Sequence, residues 1–346
     1  MTNPHDPRQA LIDAWLRSLP SGLALRPDTL RAASSDASFR RYFRIETGNG
    51  TAIVMDAPPP HEDVGPFLHA GGLLREAGLN VPAVLAQAPE QGLLLLSDLG
   101  NETYYQRIQA GLDDARLQSL YRDALAALVH MQQAAITGLP SYDAARLAAE
   151  LELFPEWYVQ RHHGASLTDK QAADLRQLLQ LLSTHCAAQT PVYVHRDFHS
   201  PNLMVCDEPR FGPNPGILDF QDALAGPLTY DLASLVTDAR TTWEEPQQLD
   251  WAIRYWDMAR QAGLPVDADF AEFHRAYEWM SLQRNLRILG VFARLNHRDG
   301  KPGYLAHMPR VNRYVRQVAQ RYGVFAPLLR LLDQLDRTTP TVGYTF

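Results

Sequence analysis

Apolar and polar positions alternate through "SFRRYFRIET". The alternation sets Phe39, Arg41, Phe43 and Ile45 on one face of a predicted strand and Arg40, Tyr42 and Arg44 on the other. "GNG" at Gly48 to Gly50 reads as a hairpin turn, and "TAIVM" as the returning strand. "VPAVLAQ" and "GLLLLSDLG" predict further strands. "PFLHAGGLLREAG" predicts a helix, weakened by Gly71 and Gly72. Ahead of these, Asp6, Pro7 and Gln9 have the order of an N-cap, an N1 proline and an N3 partner opening a first helix. Beyond Gly100 the period lengthens. "DDARLQSLYRDALAALVHMQQ" is a long amphipathic helix with Asp113 as its cap, and "TDKQAADLRQLLQLLSTHCAA" is another, with Thr168 and Gln171 as a capping box. From Asp231 onward the pattern is almost wholly helical. The predicted class is α+β: a small β-rich N-lobe over residues 1–96, a hinge at 97–100, and a large, mostly helical C-lobe over 101–346.

Composition narrows the function classes. A chain of 346 residues exceeds one small core, which favours two lobes. Its 46% hydrophobic and 21% charged content is that of a soluble globular protein. The net charge of −7 argues against nucleic acid as partner, because a phosphate backbone calls for a basic surface. No apolar run is long enough to cross a bilayer, so no membrane role is expected. The first twenty residues lack a basic stretch followed by an apolar one, so a cytoplasmic location is expected. Cys186 and Cys206 form no metal pattern and read as small buried residues in a reducing compartment.

The chemistry concentrates in "VYVHRDFHSPNLMV" and "GILDFQDALAGPLTYDLA". Between two short apolar runs stand His195, Arg196 and Asp197, with Asn202 five positions after the Asp and Asp219 after a second apolar run. A carboxylate held in a loop can accept a proton from a substrate hydroxyl. An Asn oxygen and a second carboxylate are hard donors suited to Mg²⁺, which takes few protein ligands and lets nucleotide phosphates supply others. Asp197 as base and Asn202 and Asp219 as metal ligands make the phosphoryl-transfer arrangement of kinases. Each fragment alone is more often a solvated loop or capped turn. The joint pattern, downstream of a strand-rich lobe and a hinge, is far rarer.

"HRDFHSPN" and "LDFQDALAGPLTYDLASL" resemble the aminoglycoside phosphotransferase-like family of small-molecule kinases. His199 stands two residues after Asp197 where protein kinases usually have Lys, and no A-P-E segment follows. The resemblance implies a bilobal protein-kinase-like fold, ATP as donor and Mg²⁺ as cofactor. It also implies that His195 and Asp231 brace the catalytic loop, although Asp231 could equally be a helix N-terminal carboxylate. The phrases "SSDASFRRYFRIE", "AIVMDAPPPHEDVGPF" and "ELELFPEWY" are similar to those of bacterial kinases that phosphorylate the anomeric hydroxyl of N-acetylmuramate and N-acetylglucosamine in cell-wall recycling.

One departure bears on nucleotide binding. The strand expected to carry a phosphate-holding Lys reads "TAIVMDAPP", with Met55 or Asp56 at that place. Arg41 or Arg44 on the preceding strand could supply the charge. The phosphate-covering loop offers Ser34, Ser35 and Ser38 in place of glycines, through hydroxyls and a nest of N–H donors. Ser97 and Leu99 join the nucleotide set as hinge residues. For a small-molecule sugar acceptor, the candidates are Glu156 and Trp157 in "FPEWYVQRHH", and Trp279, Arg284 and Arg287 in "YEWMSLQRNLRILG". The lactyl carboxylate of N-acetylmuramate would favour Arg284 or Arg287, whereas an aminoglycoside would want an acidic pocket. A kinase for choline, homoserine or an aminoglycoside remains an alternative, as does a nucleotide-binding pseudokinase.

Overall fold

The computed structural model describes residues 7–35 and 39–338. The chain opens with α1 (Pro7–Ser18), β1 (Arg26–Ser35), β2 (Arg41–Thr47), β3 (Gly50–Asp56), α2 (Gly65–Glu76), β4 (Val84–Ala88), β5 (Leu93–Ser97) and α3 (Tyr104–Gln109). It continues through α4 (Asp114–Met131), α5 (Ala144–Leu151), a π-helix (Phe154–His162), α6 (Asp169–Ala187), β6 (Pro191–Val194), β7 (Leu203–Met204), β8 (Gly216–Ile217) and β9 (Leu224–Pro227). It closes with α7 (Tyr230–Val236), α8 (Glu245–Gln261), α9 (Phe270–His297), α10 (Met308–Ala319) and α11 (Ala326–Thr338). The α+β class is as expected.

Two compact units divide the chain: residues 1–111 with 202–222, and residues 112–201 with 223–346. The boundaries thus differ from those expected. The first unit continues past the predicted hinge to Gly111, and it takes back the segment that carries Asn202 and Asp219.

In the first unit, five antiparallel strands lie in the order β1-β2-β3-β5-β4. The inward residues Phe43, Ile45, Ala52, Val54, Leu93 and Leu95 pack with Ile12, Trp15 and Leu16 of α1, so the amphipathic opening helix covers one face of the sheet. Helix α2 runs unbroken through its two glycines. Gly71 is there for space: a Cβ would sit 2.7 Å from the buried ring of Phe220. The returning segment is stitched in by backbone bonds. Val205 N–H donates to Glu102 (2.8 Å) and Ile217 N–H to Asn80 (2.8 Å), while the Asn80 amide donates to the carbonyls of Phe211 (2.9 Å) and Pro213 (2.6 Å).

In the second unit, β6 pairs antiparallel with β9, and helices surround α9. Helix α9 is 28 residues long and buried almost continuously from Tyr277 to Gly290, the signature of a helix enclosed on all sides. Gly290 has no room for a side chain, since a Cβ would lie 2.4 Å from the Leu153 carbonyl. Two of the expected caps form: Asp113 accepts from Arg116 N–H at 2.7 Å, and Thr168 and Gln171 make a reciprocal box, whereas Asp6 lies outside the described residues. Both cysteines are buried and unbridged.

Candidate active site

In the second unit, the register Val194↔Leu224 holds β6 to its last residue, so His195 begins the loop at a fixed point. His195 is fully buried. Asp231, in the first turn of α7, accepts the backbone N–H groups of His195 (2.6 Å) and Arg196 (3.0 Å). The Asp197 N–H donates to His195 Nδ1 at 3.3 Å. Arg196 has φ +76°, a left-handed conformation costly for a residue with a Cβ and one that persists only where neighbours over-determine it. The two bonds to Asp231 do that here. Downstream, Ser200 donates to the buried Asp238 through its N–H (3.1 Å) and its hydroxyl.

The Asp197 side chain is 37% exposed. Burial pushes its carboxyl up, but His199, Arg287, Arg284 and Arg196 outweigh that and hold it down at about 2. His199 Nε2 lies 3.7 Å from the Asp197 carboxylate. Burial pulls this imidazole down to about 4, so above that pH the three arginines dominate the field. Arg196 and Arg287 share one anion, Glu150 of α5, at 2.6 and 3.1 Å. Tyr142 adds its hydroxyl to the same carboxylate. Burial raises the Asp231 carboxyl to about 7, against the two N–H groups it accepts. The result is a partly exposed, ionised carboxylate on an immobilised backbone, able to take a proton from a hydroxyl.

In the first unit, β7 and β8 pair at Leu203↔Ile217, and Leu218 N–H donates to the Asn202 carbonyl (2.9 Å). This brings the Asn202 amide to 3.2 Å from the Asp219 carboxylate. Gln221 donates to the other Asp219 oxygen at 2.7 Å, and Asp219 has φ +66°. Phe220 anchors the turn in the space left by Gly71, its ring 4.7 Å from that of Phe67. Among the described residues no group of three or more His, Cys, Asp or Glu side chains gathers to hold a metal. The Asn202 side-chain N–H donates to Asp219, and between them the two side chains offer an amide and a carboxylate oxygen, a hard donor set that fits an ion such as Mg²⁺ that completes its shell with phosphate and water.

A family profile described as "Phosphotransferase enzyme family" matches residues 29–279. The chain belongs to the phosphotransferase enzyme family. It is 45% identical over 340 residues to an N-acetylmuramate/N-acetylglucosamine kinase of Pseudomonas aeruginosa, covering 96% of this chain and 98% of that protein. The like-named kinase of Neisseria meningitidis is 43% identical, covering 98% of this chain and 99% of that protein. Among solved structures, an ADP-bound aminoglycoside phosphotransferase superposes with a TM-score of 0.59 at 13% identity, covering 91% of this chain and 99% of that one.

The nucleotide candidates of this phosphotransferase lie as follows. Ser38 is outside the described residues, and Ser34 and Ser35 end strand β1, paired with Tyr42 and Arg41, rather than forming a loop. Asp56, at the place expected for a Lys, is fully buried and takes Arg41 on one oxygen (2.6 Å) and Arg8 on the other (2.7 Å). A carboxylate between two guanidiniums leaves a net charge of one positive unit, the charge a Lys would bring. The chain has two lysines, Lys170 and Lys301, both far from this strand in sequence. Arg44 is committed elsewhere. It grips both Asp98 oxygens (2.6 and 3.0 Å) and the Gly100 carbonyl (2.8 Å), tying residues 98–100 to β2. The Ser97 backbone and hydroxyl are engaged with Ala83, and Leu99 packs with Met204 and Cys206.

The acceptor candidates separate. Arg284 and Arg287, one turn apart on α9, both act on Asp197. Trp279 is rotated about 140° from Arg284 around the helix and packs among His185, Tyr322 and Phe325 as part of the core. Glu156 is exposed on the π-helix, and Trp157 lies under the Arg161 guanidinium at 5.5 Å. Glu150 and Asp238 were not among the expected site residues. Glu150 sits inside the quoted "ELELFPEWY", but its partners are distant in sequence and no local spacing identifies them.

Proposed function

We propose that this phosphotransferase moves the γ-phosphoryl group of ATP to the anomeric hydroxyl of N-acetylmuramate and N-acetylglucosamine. The observation that carries the reaction type is Asp197, held ionised at about 2 by surrounding cations and still more than a third exposed. The acceptor is taken from the printed names of relatives that match over nearly the full length of both chains. Asp197 accepts the proton of the anomeric hydroxyl as its oxygen bonds to phosphorus, and the bond from phosphorus to the β-phosphate oxygen breaks to release ADP. The anomeric hydroxyl is more acidic than other sugar hydroxyls, which suits a base this weak. Asn202 and Asp219 would hold Mg²⁺, whose charge offsets that of the phosphates. Asp231 and His195 keep the Asp197 backbone in place, and Arg41 with Arg8 would supply positive charge toward the nucleotide from beside Asp56.

The test is an acceptor panel with Mg²⁺ and ATP: both sugars, kanamycin, choline and homoserine, followed by ADP release and ³¹P spectra. The expected products are the two sugar 1-phosphates. Phosphorylation at the 6-hydroxyl, or preference for choline or kanamycin, overturns the acceptor assignment. Bound ATP with no turnover on any acceptor overturns the reaction.

A further inference from the structure

Arg284 is a buried cation whose guanidinium is incompletely hydrogen-bonded. Its side chain is on α9 with the residue 3% exposed, and its Nε and Nη1 have no hydrogen-bond partner. Among the described residues it makes no ion pair, whereas its neighbours on the same loop and helix do: Arg196 and Arg287 both bind Glu150. Taking a guanidinium out of water without an acceptor is costly, and such groups are normally paired. Arg284 acts electrostatically on Asp197, His199 and Asp231, so it stands beside the carboxylate proposed to receive the acceptor's proton. Its Nε and Nη1 lack an acceptor at this point, and a ligand carboxylate would supply one.

We propose that Arg284 is the subsite for the carboxylate of an acidic acceptor sugar and so sets the preference for N-acetylmuramate over N-acetylglucosamine. The inference rests on the acceptor reading above. The two sugars share the N-acetylated ring, and only the first carries a lactyl carboxylate. A guanidinium already stripped of water meets that carboxylate at a low local dielectric, where the attraction is strongest. The neutral sugar leaves the guanidinium as the structure shows it. The rival occupant is a phosphoryl oxygen of ATP, which would be common to both acceptors.

The experiment compares kcat/KM of the full chain for N-acetylmuramate, its carboxamide and N-acetylglucosamine, in the natural sequence and in Arg284→Met and Arg284→Lys. A charge-assisted hydrogen bond corresponds to roughly tenfold to hundredfold in binding. The natural sequence should therefore favour the acid over the amide by that factor, and Arg284→Met should erase the difference. Turnover on all three will fall, because Arg284 also adds charge beside Asp197; the acid-to-amide ratio is the readout. Arg284→Lys should keep part of the preference. Equal use of acid and amide by the natural sequence overturns the inference without any variant. An unchanged ratio in Arg284→Met does so too and leaves the sugar-kinase reading standing. If the natural sequence phosphorylates neither sugar, it is the acceptor reading that fails.

Discussion

Gly71 and Gly72 sit side by side in α2, and a methyl group added at each should act in opposite directions. Replacing Gly by Ala inside a helix stabilises by about 0.8–1 kcal/mol through backbone entropy and propensity. At Gly72 nothing lies within 4 Å of the added Cβ, so the gain should be realised in full. At Gly71 the Cβ would be 2.7 Å from Phe220 Cε2 and 3.0 Å from Cζ, on a fully buried ring already held by the tilted ring of Phe67. Overpacking of this kind costs about 1–3 kcal/mol. The net change for Gly71→Ala is thus a loss of up to about 2 kcal/mol, and the two variants should differ by about 1–3 kcal/mol. Phe220 adjoins Asp219, so the ring's displacement should reach the proposed metal ligand as well. Urea unfolding gives the stability of each variant, and turnover over a Mg²⁺ titration gives the second readout. Gly72→Ala should keep the Mg²⁺ response, and Gly71→Ala should need more Mg²⁺ for half-maximal turnover. If Gly71→Ala is as stabilising as Gly72→Ala and titrates with Mg²⁺ like the natural sequence, the anchoring of Asp219 through Phe220 is refuted.

Other expectations are more direct. Asp197→Asn keeps the shape but removes the proton acceptor, so turnover should fall by about 10²–10⁴ with ATP binding retained in calorimetry; near-normal turnover would remove Asp197 from the role of base. Asp219→Asn should raise the Mg²⁺ requirement more than it lowers the thermal midpoint, an assignment that fails if turnover is unchanged at every Mg²⁺ level. Arg41→Ala should raise the apparent KM for ATP, and Arg44→Ala, which releases the 98–101 segment through Asp98, Gly100 and Asn101, should change it less; the reverse order would reassign the phosphate contact. The Asp197 carboxyl is lower in the folded chain, at about 2, than its usual value, so its ionisation favours folding above that usual value. This contribution should be lost as pH falls through the usual value toward 2. The stability gap between the natural sequence and Asp197→Asn should accordingly shrink in acid, and a gap constant from pH 7 to pH 3 would contradict the cation field.

What was legible in the sequence was local. Asp113 and Thr168 were readable as caps because a cap is defined within four residues, and H-x-D-x-x-x-x-N was readable because its partners share one loop. Strand β1 was not anticipated, and its pairing explains why. Its register slips between Arg26 and Arg31 and again between Ala32 and Ser34, so the two-residue alternation that reveals a strand is broken. The π-helix at Phe154–His162 leaves no compositional mark, since it differs from an α-helix only in closing its hydrogen bonds one residue further along. Glu150 and Asp238 act across long chain separations on Arg196 and Ser200, and pattern reading along the chain does not reach that far. The same limit applies to the domain boundary. Helix-rich composition begins after Gly100, but the backbone bonds of Glu102 and Asn80 to residues 205 and 217 decide where the first unit ends.

Because the first unit is assembled from residues 1–111 and 202–222, its completion has a place in time as the ribosome delivers the chain. The five strands and α1 are all present once residue 111 has emerged, and the pairing and packing they make with one another lie within those residues. At that stage the Asn80 amide lacks Phe211 and Pro213, Gly71 faces no Phe220, and Leu99 lacks Met204 and Cys206. These gaps close only after the intervening ninety or so residues are synthesised, an entropic penalty that grows slowly with loop length. The sheet can therefore exist as a half-finished body with an exposed apolar seam before the carboxylate assigned to Mg²⁺ is even made. A nascent chain stalled before residue 202 would present that seam to chaperones and proteases, and a newly made molecule would gain the Asn202 and Asp219 pair late, after its sheet.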